Sequence, residues 1–361
     1  MTAAERTTTF ASPEAITSLD VIVTRGDMVE SRHRVHAAAV QVDAHDRAVL
    51  TLAAGDAMLP TWWRSCAKPF QLLPLLQSGH VDALGWGIDE VALSCASHGG
   101  EPEHVAIAES MLARIGLEEG DLACGPHEPL SARGARLLRE SGQRASRLHN
   151  NCSGKHAAML ARSVVEQWPT VGYEQHTHAV QQVARASVSG WTGVRVDELR
   201  LAVDGCGVTV FGLPLAHMAL SYARLCAAAT RGDAAPRRVV EAMTERPFLI
   251  GGTERFDTLL MQACRGRVVC KIGAEGVHTV GIVPRGIGFA LKVEDGTARA
   301  QYPAVLAMLA MLGELPQTLP EALRDLTGRL VRNTRGEAVG EVRVDAALLG
   351  SRVPIPGTDQ T

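Results

Sequence analysis

The sequence lacks several features that would place it in a simple class. No apolar run reaches the roughly 20 residues that a membrane helix needs. The eight cysteines include no C-x-x-C pair, so we expect reduced thiols. The 36 basic and 39 acidic residues give a formal net charge of -3 without a basic arm or an acidic tail. This balance argues against nucleic acid and anionic membrane surfaces as partners.

The N-terminal segment MTAAERTTTFASPEA also lacks the charged-then-apolar order of a secretory signal. We therefore predict a cytoplasmic protein. Residues 1–18 are predicted to be a mobile N-terminus and residues 351–361 a mobile tail. Residues 19–350 are then expected to form a single unit, long enough to bury a sizeable core.

The distribution of apolar residues predicts an α+β protein. Short β-type segments, such as 34–43 and 47–52, open the chain, and others with glycine turns follow near its end. Between them the apolar spacing is mostly helical. We predict a sheet built from residues 19–86 and 250–346, with a mostly helical region inserted at 87–249. The first and last segments would share one antiparallel sheet flanked by helices.

Lysine is rare in this chain, because only four of the 36 basic residues are lysines and the other 32 are arginines. Arginine evidently serves wherever a plain positive charge is needed. Each retained lysine therefore suggests a need for a compact cation or for an amine that can lose its proton. Two of the four follow a Ser or a Cys by three residues, in Ser65-x-x-Lys68 and Cys152-x-x-Lys155.

The segment TWWRSCAKPF places Ser65 and Cys66 close to Lys68. Pro69 is tolerated only in the first turn of a helix, so the helix predicted over 66–79 must begin close to Ser65. Residues three apart share a helix face, so the Lys68 amine can reach the Ser65 hydroxyl, whereas Cys66 is expected to pack inward. Ser65 is then a candidate nucleophile, provided that burial and a second cation keep Lys68 neutral. A chance S-x-x-K on a helix face is the alternative.

Most of the unusual Ser, Cys, His and Lys residues fall in glycine-rich turns, where functional sites are commonly built. Ser97 and His98 precede a Gly-Gly loop in SCASHGGEPEH, and HNNCSGKHAAML crowds polar groups at the start of an apolar helix. Asp204 and Cys206 lie at a glycine-rich bend in VDGCGVTVFGLPL, and Lys271 ends a strand. Taken singly, each block can also be a simple turn, an N-cap or a satisfied core polar group.

Seven blocks together resemble the signature motifs of the Rhizobium etli-type L-asparaginases, the asparaginase II family. They are SCAKPFQ, SCASHGGEPEH, CGPHEP, HNNCSGKHAAML, DGCGVTVFGLPL, GGTERFDT and KIGAEG, in the family's order. The resemblance implies a fold similar to serine β-lactamases and penicillin-binding proteins. It also implies that residues 19–350 form a catalytic unit that hydrolyses L-asparagine to L-aspartate and ammonia. A homodimer is expected from the same resemblance and because dimers are the commonest soluble homo-oligomers.

The resemblance implies four catalytic residues arranged as two Ser-Lys pairs. Ser65 with Lys68 matches the first pair, and Ser97 with Lys271 matches the second. In this interpretation Ser65 attacks the side-chain amide, Lys271 is the second cation that holds Lys68 neutral, and Ser97 shuttles a proton. Ammonia leaves before the acyl-enzyme is hydrolysed. Whether Ser65 or Ser97 makes the first bond stays open.

The resemblance further implies a zinc ion near the substrate, held by Cys152, Lys155 and Cys206. Spacing alone does not indicate this site, because two thiols are fewer than usual and lysine binds a metal only after losing its proton. Two buried thiols beside a helix-cap lysine are the alternative. We expect the ion to orient the substrate rather than to activate water, since a serine nucleophile is present.

Three further residues are expected near the substrate. Asp204 is the predicted anchor for its ammonium group, with His98 and His156 as neighbours, although a histidine beside a turn is often structural.

Two rival functions are kept open. The S-x-x-K motif also suits a hydrolase of β-lactams, D-Ala peptides or esters, but the K-T-G triad is replaced by Lys271-Ile272-Gly273. A non-catalytic zinc- or amino-acid-binding protein is the second rival, and the four intact catalytic candidates argue against it.

Overall fold

The computed structural model describes Phe10, Ala15–Ile16 and residues 18–327 and 330–345. The predicted mobile tail and most of the predicted mobile N-terminus lie outside these residues. The strands are β1 (Ala15–Ile16), β2 (Val21–Arg25), β3 (Met28–His33), β4 (Val35–Val42), β5 (Ala48–Ala54), β6 (Pro60–Trp62), β7 (Arg200–Val203), β8 (Thr209–Pro214), β9 (Val268–Ile272), β10 (Val277–Ile282), β11 (Ile287–Val293), β12 (Leu330–Arg332) and β13 (Ala338–Val344).

The α-helices occupy most of the middle of the chain. They are α1 (Lys68–Gln77), α2 (His80–Ala83), α3 (Ile88–Cys95), α4 (Pro102–Ala113), α5 (Ala132–Glu140), α6 (Ser153–Val165), α7 (Ala179–Thr192), α8 (Leu215–Arg231), α9 (Ala234–Glu245), α10 (Pro247–Ile250), α11 (Phe256–Cys264), α12 (Ala298–Met311) and α13 (Glu321–Leu326). A short 3-10 helix, Arg64–Ala67, leads directly into α1. The helix predicted to begin close to Ser65 is therefore confirmed.

The described strands form three sheets. The largest has the order β1-β5-β4-β11-β10-β9 and is antiparallel except for the β1–β5 pair. The second has the order β12-β13-β2-β3, and the third has the order β6-β8-β7. Both larger sheets combine strands from the two ends of the sequence. This arrangement confirms the α+β prediction. The prediction of a single shared sheet is wrong, because the strands of residues 19–86 and 250–346 form two separate sheets and β6 joins the β7–β8 hairpin of the mostly helical middle in a third.

The sequence interpretation missed β3, which continues from β2 through a turn at Gly26. Its residues MVESRH are mostly exposed, so neither an apolar run nor a clean alternation marks the strand. Pairing with β2 supplies its backbone hydrogen bonds instead. In the described part of the chain, no helix has both the length and the apolar character needed to span a membrane.

The core lies between α8 and the six-stranded sheet, where α8 packs on β4, β10 and β11. Gly288 on β11 makes this close approach possible, because a Cβ there would lie 2.1 Å from the carbonyl oxygen of Ala219. The aromatic ring of Phe70 stacks on Trp63 at 5.0 Å and meets Tyr222 of α8 at 5.3 Å. These buried aromatic contacts fix the segment that carries Ser65 and Lys68 against the core.

Candidate active site

A cavity of about 290 Å³ opens where seven segments of the chain meet. This volume is near the lower limit of small-molecule sites. Eight of its 15 lining residues have a polar or charged side chain, and two are glycines. The lining includes Arg64, Ser65, Ser97, Cys152, Asp204, Cys206 and Arg255.

Ser65 lies in the 3-10 helix and lines the cavity with a half-buried side chain. Arg64, directly before it, has a φ of 53°, a left-handed conformation that a non-glycine residue rarely adopts. Such local strain is typical of residues held in place by the surrounding structure at functional sites. Cys66 is fully buried, as predicted, and its thiol donates to the carbonyl of Lys271 at 3.0 Å. Burial raises the pKa of the Cys66 thiol to about 12, so it is not a nucleophile at neutral pH.

Lys68 begins α1 and is buried. Its Nζ donates to the hydroxyl of Ser97 at 3.1 Å, to the carbonyl of Asn151 at 3.4 Å and to the carbonyl of Ala96. The described residues contain no hydrogen bond between Lys68 and Ser65, although the spacing of three had suggested one. The physical reason is that three acceptors already satisfy the three N–H donors of an ammonium group.

Lys271 also contacts the Ser97 hydroxyl. It lies on β9, at the edge of the six-stranded sheet, and is fully buried. Its Nζ is 2.8 Å from the Ser97 Oγ and 2.9 Å from the Ile272 carbonyl. Burial lowers the pKa of Lys271 to about 8; Asp257 opposes this lowering, and Lys68 adds to it. Lys271 is thus an amine that can be neutral near physiological pH.

Ser97 is held between the two lysines by the loop that follows α3. The chain becomes extended after Cys95, and the Ser97 N–H donates to the carbonyl of Ile250 at 3.0 Å. Its hydroxyl lines the cavity although the residue is almost fully buried. The structure therefore brings together Lys68, Ser97 and Lys271, which lie far apart in the sequence.

The three predicted metal ligands also lie together. Cys152 and Cys206 line the cavity, and the Nζ of Lys155 is 2.9 Å from the Cys206 sulfur. A hydrogen bond from Cys152 is the main reason that the pKa of Cys206 falls to about 4, and the charge of Lys155 lowers it further. Burial alone would lower the pKa of Lys155, but the thiols Cys206 and Cys152 raise it. A thiolate, a thiol and an amine form a donor set that fits a zinc ion once two protons leave.

Gly154 allows this cluster to lie next to the serine loop. A Cβ at Gly154 would be 2.3 Å from the carbonyl oxygen of Leu93 on α3. Only glycine permits α6, which carries Lys155, to approach the helix that leads to Ser97 so closely.

Asp204 occupies the turn of the β7–β8 hairpin at the cavity wall. Its Oδ1 accepts from the Nε of Arg64 at 2.8 Å and from the Gly205 N–H at 2.8 Å. Although burial would raise its pKa, the charges of Lys155 and Arg64 keep the pKa of Asp204 below its usual value. Asp204 is therefore a carboxylate that faces the cavity, as expected of an ammonium anchor.

The histidines predicted near the substrate occupy internal positions. His98 is buried, with Nε2 at 2.9 Å from the Ser153 hydroxyl, and His156 is buried with Nδ1 at 2.5 Å from the Tyr173 hydroxyl. Burial lowers the pKa of both rings, that of His156 to about 3. Neither ring lines the cavity formed by the described residues.

Sequence reasoning missed two cationic side chains of the cavity, Arg64 and Arg255. Both lie within quoted sequence blocks or beside them, but arginine is so common in this chain that its presence carried no signal. It also missed the buried carboxylate Glu101, which accepts from the Thr253 N–H at 2.6 Å and from the Thr253 hydroxyl at 2.7 Å. Glu101 thereby ties the loop of Arg255 to the loop that carries Ser97.

The structure contains a further buried group of metal-ligand-type residues that the sequence analysis did not identify. Asp257, Cys270 and His278 lie on α11, β9 and β10, and their ligand-type atoms are within 4.8 Å of one another. Such a group could hold a metal ion. Hydrogen bonds account for its contacts, however, so we assign no metal to it.

Comparison with known families gives one long match. A model of the L-asparaginase II family matches residues 21–344 of the 361. A comparison with curated proteins finds no match.

Proposed function

This chain belongs to the L-asparaginase II family, and we propose that it hydrolyses L-asparagine to L-aspartate and ammonia with a serine nucleophile. The observation that carries this proposal is the meeting of two buried lysines at one serine hydroxyl beside a small polar cavity. Acyl transfer requires a base that takes up the proton of the nucleophile, and here the Lys271 amine would take it up through Ser97.

The cavity suits a small zwitterionic amino acid. The Asp204 carboxylate would bind the α-ammonium group, and the guanidinium groups of Arg64 and Arg255 would bind the α-carboxylate. Binding both charged groups would direct the side-chain amide toward the two serines. A cavity of about 290 Å³ leaves little room for a larger acyl group.

We assign the attack to Ser65 and the proton relay to Ser97. Ser65 is the more open of the two serines, whereas Ser97 is fixed between Lys68 and Lys271. The neutral Lys271 amine accepts the Ser97 proton while Ser97 accepts that of Ser65, and the charged Lys68 supports the anionic intermediate. Here Lys271 acts as the base and Lys68 as the cation, the reverse of the roles inferred from the sequence.

The remaining steps follow from proton and atom balance. The Ser65 Oγ bonds to the amide carbon, the C–N bond breaks, and the leaving nitrogen takes the relayed proton to depart as ammonia. Water then attacks the Ser65 ester by the same relay and releases aspartate.

A zinc ion would be held by Cys152, Lys155 and Cys206. When bound, it would supply a fixed positive charge that orients the substrate. Asp204 lies two residues from Cys206, so one hairpin turn would place the ammonium anchor beside the metal ligands. The proposal also includes a β-lactamase-like fold, a homodimer and a cytoplasmic location, which rest on the sequence.

The test measures ammonia release from L-asparagine and L-glutamine, and hydrolysis of a chromogenic cephalosporin, with and without added zinc. We expect ammonia from asparagine and no cephalosporin hydrolysis. Hydrolysis of the cephalosporin alone would support the β-lactam rival. Stoichiometric binding of asparagine and zinc without ammonia release would support the non-catalytic rival.

A further inference from the structure

Asp257 is a fully buried carboxylate for which the proposed reaction has no role. Its Oδ2 accepts from the Ile272 N–H at 2.8 Å, directly after Lys271 in the chain. Its Oδ1 lies 3.1 Å from the Nε2 of His278 and 3.4 Å from the Cys270 sulfur. A buried charge of this kind is costly unless its partners are well placed.

Hydrogen bonding explains this group without an ion. The Nδ1 of His278 lies 3.2 Å from the Nε2 of Gln301, an amide donor, so Nδ1 accepts and Nε2 carries the proton given to Asp257. The same Gln301 amide donates to the Val277 carbonyl at 2.7 Å, which fixes its orientation. His278 and Cys270 therefore hold the carboxylate in one position.

The fixed carboxylate is coupled to Lys271 through the backbone of Ile272. Asp257 binds the Ile272 N–H, and the Lys271 amine donates to the Ile272 carbonyl. These two hydrogen bonds fix the N–H and the carbonyl of Ile272, and the Lys271 amine lies within hydrogen-bond distance of Ser97. Two amines, those of Lys68 and Lys271, meet at that hydroxyl, and a nearby negative charge reduces their repulsion.

The titratable groups near Lys271 come from several elements. In the described structure they are Lys68 of α1, Cys66 of the 3-10 helix, Cys95 of α3, His98 after α3, Cys152 before α6, Asp257 of α11, Cys270 of β9 and, behind Asp257, His278 of β10. Thr279 is the cross-strand neighbour of Lys271, and the buried side chains of α9 are apolar. Asp257 is therefore the one carboxylate in this set.

We propose that Asp257 is a positioning residue that holds the Lys271 amine against Ser97 and balances its charge, with His278 and Cys270 fixing the carboxylate. This inference deepens the proposed function, on which its catalytic meaning rests. Burial lowers the pKa of Lys271 to about 8, and Asp257 limits that lowering. Without the carboxylate the amine would lose its proton at a still lower pH.

The scarcity of lysine makes a direct test practical. Protein labelled with ¹³C at the lysine side chain gives signals from four residues, and Lys271→Arg identifies that of Lys271. We expect this signal to titrate near pH 8 in the native protein. In Asp257→Asn the midpoint should fall by about 1 pH unit or more. The acid limb of kcat/KM should move to lower pH by the same amount, with KM little changed.

Two controls separate positioning from general damage. Glu314→Gln removes a nearly buried carboxylate that pairs with Arg267 and Arg285, and should leave the Lys271 midpoint unchanged. Asp257→Glu should recover part of the shift. If Asp257→Asn does not fold, His278→Gln should give a smaller shift in the same direction.

Three results would overturn the inference. They are a native Lys271 midpoint above about pH 10, an unchanged midpoint in Asp257→Asn, and a bound zinc that Cys206→Ala retains and Asp257→Asn loses. The titration does not depend on turnover. A protein that shows the shift but releases no ammonia would therefore contradict the proposed function alone.

Discussion

Two clusters lie beside the cavity, the serine cluster (Ser65, Lys68, Ser97 and Lys271) and the thiol cluster (Cys152, Lys155 and Cys206). The pKa values of two of their buried lysines, Lys271 and Lys155, shift in opposite directions. Burial and the charge of Lys68 lower the pKa of Lys271, despite the opposing effect of Asp257. Lys155, equally buried, has a raised pKa because it faces the thiols Cys206 and Cys152. Burial alone therefore does not decide the protonation state of a lysine. The neighbouring charges decide whether the pKa of a buried lysine is lowered or raised, which is the basis of the different roles proposed for Lys271 and Lys155.

The most severe change to the serine cluster should be Ser65→Ala. We expect kcat for ammonia release to fall by at least about 10³-fold, because the nucleophile is lost, while the fold is kept. Ser94→Ala is a matched control, since Ser94 lies on α3 and donates only to the Glu90 carbonyl. Retention of most activity in Ser65→Ala would assign the attack to Ser97.

Replacing each lysine by methionine tests the comparison directly. Lys271→Met removes the base and should lower kcat by about 10²- to 10⁴-fold. Lys155→Met leaves Ser97 and its two amines in place, so it should mainly raise KM. Steady-state kinetics of both variants measure the difference. Equal losses of kcat would show that the two clusters do not have separate roles.

The pH dependence should report Lys271. The amine must be neutral to act as a base, and its pKa is lowered to about 8, so activity is lost as the pH falls below that value. We expect kcat/KM to decrease about tenfold for each pH unit on the acid side. A profile that is flat from about pH 6 to pH 9 would contradict the assignment of Lys271 as the base.

Removal of a proposed zinc ligand should have a smaller effect on kcat. Cys206→Ala should abolish zinc binding and raise KM, by about tenfold, more than it lowers kcat. Elemental analysis and kinetics on the same preparation measure both. A loss of kcat at unchanged KM would mean that the metal takes part in the reaction itself.

The smallest effect is expected at His156. Its ring is bonded to Tyr173 and does not line the described cavity, so His156→Gln should change KM by no more than about twofold. A rise in KM similar to that of Asp204→Asn would restore His156 to the substrate site.

Some of the fold and site could be read from single segments. Pro69 located the start of α1, and lysine scarcity drew attention to Lys68, Lys155 and Lys271. The ordered blocks predicted the family that the match over residues 21–344 confirms. Local patterns were sufficient for these predictions, because the restriction that proline places on a helix and the use of arginine instead of lysine can both be read from the sequence without knowing the fold.

Other features depended on contacts between distant residues. The three-residue spacing pointed Lys68 toward Ser65, whereas the folded chain satisfies its amine with Ala96, Ser97 and Asn151. The spacing of residues predicts which side chains share a face of one helix. It cannot predict which loops, distant in the sequence, pack against that helix and offer acceptors to Lys68. The exposed strand β3 was missed for a related reason, because its stability comes from pairing with β2.

Sequence patterns alone were enough to predict the α+β class and the family, and they showed how scarce lysine is. The surroundings of each lysine, and so the direction in which its pKa shifts, depend on the folded chain. Lys271 and Lys155 are the same residue type and both are buried, but their pKa values shift in opposite directions. Burial and the charge of Lys68 lower the pKa of Lys271 although Asp257 opposes this, whereas Cys206 and Cys152 raise the pKa of Lys155. Electrostatic interactions act through space over a few ångströms, so they depend on which residues the fold brings together.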